Sequence, residues 1–130
     1  MKQYYFLIIF FTAISMFGVN CKSQQDAGYG DVVSYGKNKT IKFPDFDMVY
    51  TGETSKTSKF DNGNSFTFHY ENFTISRGSD SKNVQWTSGT GEIYPIPFEF
   101  GGNKYTIELR YCEALKKKLG GDELVITKSP

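Results

Sequence analysis

The sequence predicts an all-β protein, mainly antiparallel, forming a small β-sandwich or barrel of about seven strands with one short helix near the C-terminus. Two observations predict it. From Thr40 onward, apolar and polar residues alternate with a period of two in one segment after another, the mark of strands with one buried and one wet face. Between those segments stand clusters of Gly, Asn, Asp and Ser, residues that tolerate the backbone angles of tight turns. In chain order, Phe46, Met48 and Tyr50 alternate with Asp47 and Val49, Phe66, Phe68 and Tyr70 with Thr67 and His69, and Phe73 and Ile75 with Thr74 and Ser76. Val84 and Trp86 flank Gln85, and Ile96, Phe98 and Phe100 alternate with Pro97 and Glu99. Tyr105, Ile107, Leu109 and Tyr111 alternate with Thr106, Glu108 and Arg110, and Leu124-Val125-Ile126 closes the series. Parity puts Phe66, Phe68, Ile107 and Leu109 in the core. The turns fall at Asp61-Asn62-Gly63-Asn64, Arg77-Gly78-Ser79-Asp80, Ser88-Gly89-Thr90-Gly91 and Gly101-Gly102-Asn103. Residues 113–119 depart from alternation: Leu115 and Leu119 lie four apart, Lys116, Lys117 and Lys118 crowd the later end, and Gly120-Gly121 follows. That is the pattern of a short helix with cations at the favourable end of its dipole.

Residues 1–20 distort the composition and are best set apart. The other 110 residues carry 14 basic and 14 acidic side chains, so the body of the protein is neutral. A neutral domain lacks the electrostatic footprint of a nucleic-acid binder, and its length suits one small folded unit, expected to be monomeric. Aromatic residues slightly outnumber Val, Ile and Leu in this part, so rings should dominate the packing.

Met1-Lys2 precedes an apolar run of 16 residues from Tyr4 to Val19, followed abruptly by the polar Cys21-Lys22-Ser23-Gln24-Gln25-Asp26. A run this short falls below the length that spans a bilayer comfortably and has the layout of a secretory signal peptide. Phe17-Gly18-Val19-Asn20-Cys21 resembles the lipobox of bacterial lipoproteins, in the relaxed form of some Gram-negative lineages: Val19 fits, whereas Gly18 and Asn20 replace the usual aliphatic and small residues. The resemblance implies cleavage before Cys21, lipidation of Cys21 with acyl chains such as palmitate, and attachment to the cell envelope at the outer membrane, periplasmic or surface-facing. A plain secreted protein, an uncleaved anchor and a Cys21–Cys112 disulfide are the alternatives. With Cys21 acylated, Cys112 is a lone thiol, expected to be buried and inert. The expected organisation is a signal peptide over 1–20, a flexible tether over 21–39, rich in Gly, Ser, Gln and Asp, and a single β domain over 40–130.

Chemistry-bearing constellations are sparse. One His and one free Cys do not make a zinc set. Asp45, Asp47 and Glu53 lack the spacing of a calcium loop, so no metal or other cofactor is expected. His69 has no local partner pattern for a triad, and the carboxylate pairs Glu92/Glu99 and Glu99/Glu108 are the remaining candidates for hydrolysis. The least ordinary stretch runs from Val84 to Phe100. Two prolines at spacing two, Pro95 and Pro97, cannot donate ladder hydrogen bonds, so this stretch reads as an edge strand or crossing. Edges beside loops are where β proteins accept partners. Ser88, Gly89, Thr90, Gly91, Glu92, Tyr94 and Phe98 are therefore the candidate partner-binding residues, the other reading being that the rings are core. The expectation is a cell-envelope lipoprotein acting as a small non-catalytic binding or accessory module, its partner an envelope protein or glycan. The alternatives are an immunity or inhibitor lipoprotein neutralising an envelope enzyme or toxin, and a small carboxylate-based hydrolase.

Overall fold

The computed structural model describes residues 22–88 and 93–130, and these form an all-β protein. The expected signal segment, Cys21 and the predicted loop residues Gly89, Thr90, Gly91 and Glu92 lie outside the described residues. In chain order the strands are β1 (Ser23–Asp26), β2 (Val33–Ser34), β3 (Lys39–Lys42), β4 (Asp47–Lys59), β5 (Ser65–Arg77), β6 (Asp80–Ser88), β7 (Ile96–Phe100), β8 (Asn103–Leu109), β9 (Tyr111–Cys112), β10 (Lys117–Lys118) and β11 (Glu123–Lys128). They build an open five-stranded sheet of order β1-β3-β4-β5-β6, an open four-stranded sheet of order β2-β11-β8-β7, and a small β9–β10 ribbon. Pairing is antiparallel except between β1 and β3, where Ser23 stands opposite Lys39 and Asp26 opposite Lys42.

The two large sheets share one core. Ile41, Met48, Phe73, Ile75, Val84 and Trp86 face it from the five-stranded sheet, and Val33, Phe98, Tyr105, Ile107, Leu109, Leu124 and Ile126 from the four-stranded one. Rings fill the space between them: Phe46 makes edge-to-face contacts with Phe98, Phe100 and Tyr105, the geometry that aromatic quadrupoles favour. Alternation correctly places Met48, Val84, Trp86, Ile107 and Leu109 inside. A smaller cluster of Cys112, Leu119 and Val125, with Val32 against it, forms on the other side of β11. Cys112 is buried there as a free thiol.

Three expectations are corrected. No helix forms at residues 113–119. The chain makes a turn, with Lys116 in the left-handed region at φ 48° and its amide bonded to the Glu113 carbonyl, and β10 pairs back on β9. Leu119 is buried while Leu115 is half exposed. Seven residues with one packed leucine cannot offset the cost of helix nucleation, and the buried Glu108 carboxylate captures the Glu113 amide at 2.7 Å in another geometry. Residues 23–39, read as a tether, instead carry β1 and β2 and contribute Val33 and Tyr35 to the core. Polar composition concealed these short edge pairings.

The third correction concerns parity. Phe66 and Phe68 are not core: Phe66 is 45% exposed and Phe68 half-buried. β5 is one continuous strand, paired without a slip to β6, and β4 absorbs a bulge between Tyr50 and Gly52. On a continuous strand, Phe66, Phe68 and Tyr70 must face opposite to Glu71, Phe73 and Ile75. The second set faces the core, so the first lies on the outer face of the sheet.

Candidate functional site

Unequal strand length creates the most distinctive surface. β4 and β5 each have 13 residues, against 7 for β8 and 6 for β11. The β4–β5 hairpin therefore runs past the end of the four-stranded sheet and leaves part of its inner face uncovered as a ledge. The floor of this ledge carries Glu53, Ser55 and Thr57 on β4 opposite Glu71, His69 and Thr67 on β5, with Ser88 paired to His69 at its rim. The wall is the end of the small sheet, where Arg110 and Gly121 meet Tyr35.

At the inner corner the groups are locked together. Glu71, 5% exposed, accepts a hydrogen bond of 2.6 Å from the Tyr50 hydroxyl and one of 3.2 Å from Arg110 Nη2. Arg110 Nη1 donates to the Gly121 carbonyl at 2.6 Å, which also accepts from the Tyr35 hydroxyl at 3.2 Å. The guanidinium lies 6.0 Å from the centre of the Trp86 ring. Burial pushes the Tyr50 hydroxyl pKa up, and its hydrogen bond to Glu71 pushes it further. Burial first and the Glu71 charge second raise Tyr35 to about 12, so both tyrosines stay protonated donors. Arg110 itself has φ 68°, a conformation that costs an L-residue roughly 1 to 2 kcal/mol. Its two side-chain partners and the Leu119 amide on its carbonyl hold it there. Farther out, His69 Nδ1 and Glu53 Oε1 lie 3.3 Å apart with both side chains half exposed, and the Thr57 and Thr67 hydroxyls share a hydrogen bond of 3.0 Å.

The predicted site residues are only partly brought together. Ser88 reaches the ledge, and Tyr94 is 59% exposed. Phe98 is a correction: it is core, stacked on Tyr105 with ring centres 5.3 Å apart, because the outward parity of β7 belongs to Pro97 and Glu99. The expectation from the prolines does hold for the strand, since β7 is an outer strand of its sheet. Glu99 and Glu108 do not meet. Glu99 pairs across the ladder with Lys104, whereas Glu108 lies beyond Ile107, the partner of Ile96, so roughly 13 Å of strand separates their levels. Asp45 lies in the turn before β4 while Glu53 is midway along that strand, and among the described residues no group of three His, Cys, Asp or Glu is placed to hold a metal. The carboxylate pair that does form, Glu53 opposite Glu71, escaped the sequence reading. Its signal was an acid two residues before Phe73 on the same parity as Phe73 and Ile75.

The opposite pole is a clasp. Asp45 accepts hydrogen bonds from the hydroxyls of Tyr29 at 2.5 Å and Tyr105 at 3.0 Å and from Lys128 at 2.9 Å, tying the last strand to the β3–β4 turn. The Tyr29 hydroxyl first, then Lys128, lower the Asp45 pKa from 3.8 to about 2. Folding thus favours the ionised form, and this contribution to stability is complete above pH 3.8 and is lost as pH falls through about 2. Asp45→Asn is expected to flatten the decline of the unfolding temperature in that window, read by thermal melts at a series of pH values. An unchanged decline would place the acid sensitivity elsewhere.

No family model, curated protein or solved structure matches this chain.

Proposed function

We propose that the protein is a cell-envelope lipoprotein, anchored through Cys21, that works as a small binding module with the ledge as its contact surface. The observation that carries this reading is the overhang itself. A rigid two-sheet body, read here as a β-sandwich, presents Glu53, His69, Thr57, Thr67 and Ser88 on a face without a covering sheet, above a corner fixed by Glu71, Arg110 and Tyr50. Hydroxyls, an imidazole and a carboxylate held on strands rather than loops suit recognition of a polar partner, an envelope protein or a glycan. An immunity or inhibitor role uses the same surface against an envelope enzyme or toxin. The pairing of Glu53 with Glu71 is the one observation that favours a hydrolase. The engagement of Glu71 by Arg110 and Tyr50 favours a structural role for it and hence binding.

The test is site-specific photo-crosslinking in cells that carry the whole protein. A crosslinker in place of His69 or Thr57 on the ledge, or of the exposed Tyr94, is expected to give discrete adducts, and one in place of Gln85 on the outer face none. Adducts from Gln85 alone would move the contact surface off the ledge. A turnover of glycan or peptide abolished by Glu53→Gln would replace binding with catalysis.

A further inference from the structure

We infer that the outer face of the projecting β4–β5 arm is a lipid-contacting surface, on which the anchored protein lies against an anionic membrane. The inference rests on the anchored reading above and adds a second, independent contact.

The first observation is where the chain leaves the fold. β1 starts at Ser23, level with Lys39 of β3, and Thr40 is level with Val49 of β4. Lys22 accordingly emerges beside Thr51, and Lys22, Lys37, Lys39, Val49, Tyr50 and Thr51 line one depression. From that level β4 continues in the same direction to Lys59, roughly 26 Å of extended chain. The arm and the N-terminus thus share one pole of the molecule. Only Lys22 separates Cys21 from β1, and one residue spans at most ~3.6 Å, so acyl chains on Cys21 bring the bilayer surface to the base of the arm.

The second observation is the arm's two-sidedness. Its outer face carries Phe66, Phe68 and Tyr70 opposite Ser58, Lys56 and Thr54, and at the tip Phe60 and Phe66 pack edge to face at 5.3 Å while 50% and 45% exposed. Its inner face carries Glu53, Ser55, Thr57, Thr67 and His69. Exposed rings beside cations are what binds a membrane interface: Lys56 stands opposite Phe68 on this face, and Lys22 and Lys37 line the depression at the base of the arm, as cations for lipid phosphates. Asp61, in the tip turn, is the acid nearest the ring pair in the chain.

Arm length decides the posture. An interfacial element sinks only about 5 to 10 Å, and a two-stranded hairpin with unpaired edges cannot stand upright in hydrocarbon. An arm of this length beginning at the membrane surface must lie along it. The ring-bearing face goes down, which leaves the polar ledge turned away from lipid and open to a partner.

The experiment uses full-length, acylated protein purified and reconstituted alone into vesicles containing phosphatidylglycerol. Cys112 is buried and Cys21 blocked by lipid, so single cysteines report cleanly. Phe66→Cys and Ser58→Cys on the outer face are expected to react several-fold more slowly with a membrane-impermeant maleimide than Thr67→Cys and Thr57→Cys on the inner face, the difference disappearing in detergent. Equal rates on both faces in vesicles overturn the inference, as does outer-face protection that appears in whole envelopes but not in pure lipid, which would assign the face to a protein. Flotation of the wild type after an alkaline wash, lost in Cys21→Ser, reports the anchor separately. Protein that floats with both faces equally reactive keeps the anchor and loses the arm contact, and protein that does not float loses both.

Discussion

Phe73→Ala is expected to cost about 3 to 5 kcal/mol of folding stability, whereas Phe66→Ala, the same chemical change on the same strand, costs less than about 1. Phe73 is 1% exposed and sits between Tyr35 and Tyr50, with ring centres 5.1 and 5.4 Å away. Truncation there removes the transfer free energy of a buried ring and leaves a cavity that neighbouring strands are too constrained to close. Phe66 packs on the ring of Phe60 and is 45% exposed, so its truncation opens no enclosed cavity. Denaturant melts of both variants decide the matter, and comparable losses would mean that the arm packs on something and that its outer face is not free.

Arg110→Ala is the second large effect, about 2 to 4 kcal/mol. Removing the guanidinium leaves the Glu71 carboxylate buried with only the Tyr50 hydroxyl to balance its charge, and breaking one side of a buried pair typically costs ~3 to 5 kcal/mol. The Arg110 side chain is 37% exposed, so water reaches the vacated corner and brings the expected loss about 1 kcal/mol below that range. Two companions separate the causes. Arg110→Gly loses the same ion pair but relieves the left-handed backbone, and should be more stable than Arg110→Ala by roughly 1 kcal/mol. Adding Glu71→Gln to Arg110→Ala should recover part of the loss, because an amide buries at less cost than an unpaired carboxylate. If the double variant is no better than the single, Arg110 acts through its bond to the Gly121 carbonyl rather than through Glu71.

These two positions also mark how far the sequence could be read. Period-two alternation is a local signal, and it located the strands holding Met48, Val84, Trp86, Ile107 and Leu109 with the correct face inward. It failed where one strand carries two apolar sets of opposite parity. Phe66, Phe68 and Tyr70 look as buried as Phe73 and Ile75 until β5 is known to be unbroken, and continuity is a property of its pairing with β4 and β6. Had Glu71 been placed on the parity of Phe73, an inward acid would have demanded a partner. Arg110 lies 39 residues away in the chain, and nothing in the spacing points to it. The helix expected at residues 113–119 fails for a related reason: its decisive competitor, the Glu108 carboxylate on the Glu113 amide, is a tertiary contact. The strands β1 and β2 were hidden in polar sequence because an edge strand need offer only its backbone.

The parallel pairing of β1 with β3 has a mechanical consequence. Ladder hydrogen bonds run across the strands, so a pull on the chain through Lys22 in line with β1 loads the bonds from Ser23 to Asp26 together, in shear, instead of peeling them one at a time. A hairpin held at its open end would unzip under the same tension. The first strand of this protein is therefore set to transmit force from its N-terminus into the five-stranded sheet, and Ala27, whose amide bonds the Lys42 carbonyl at 2.9 Å, extends that grip by one more bond.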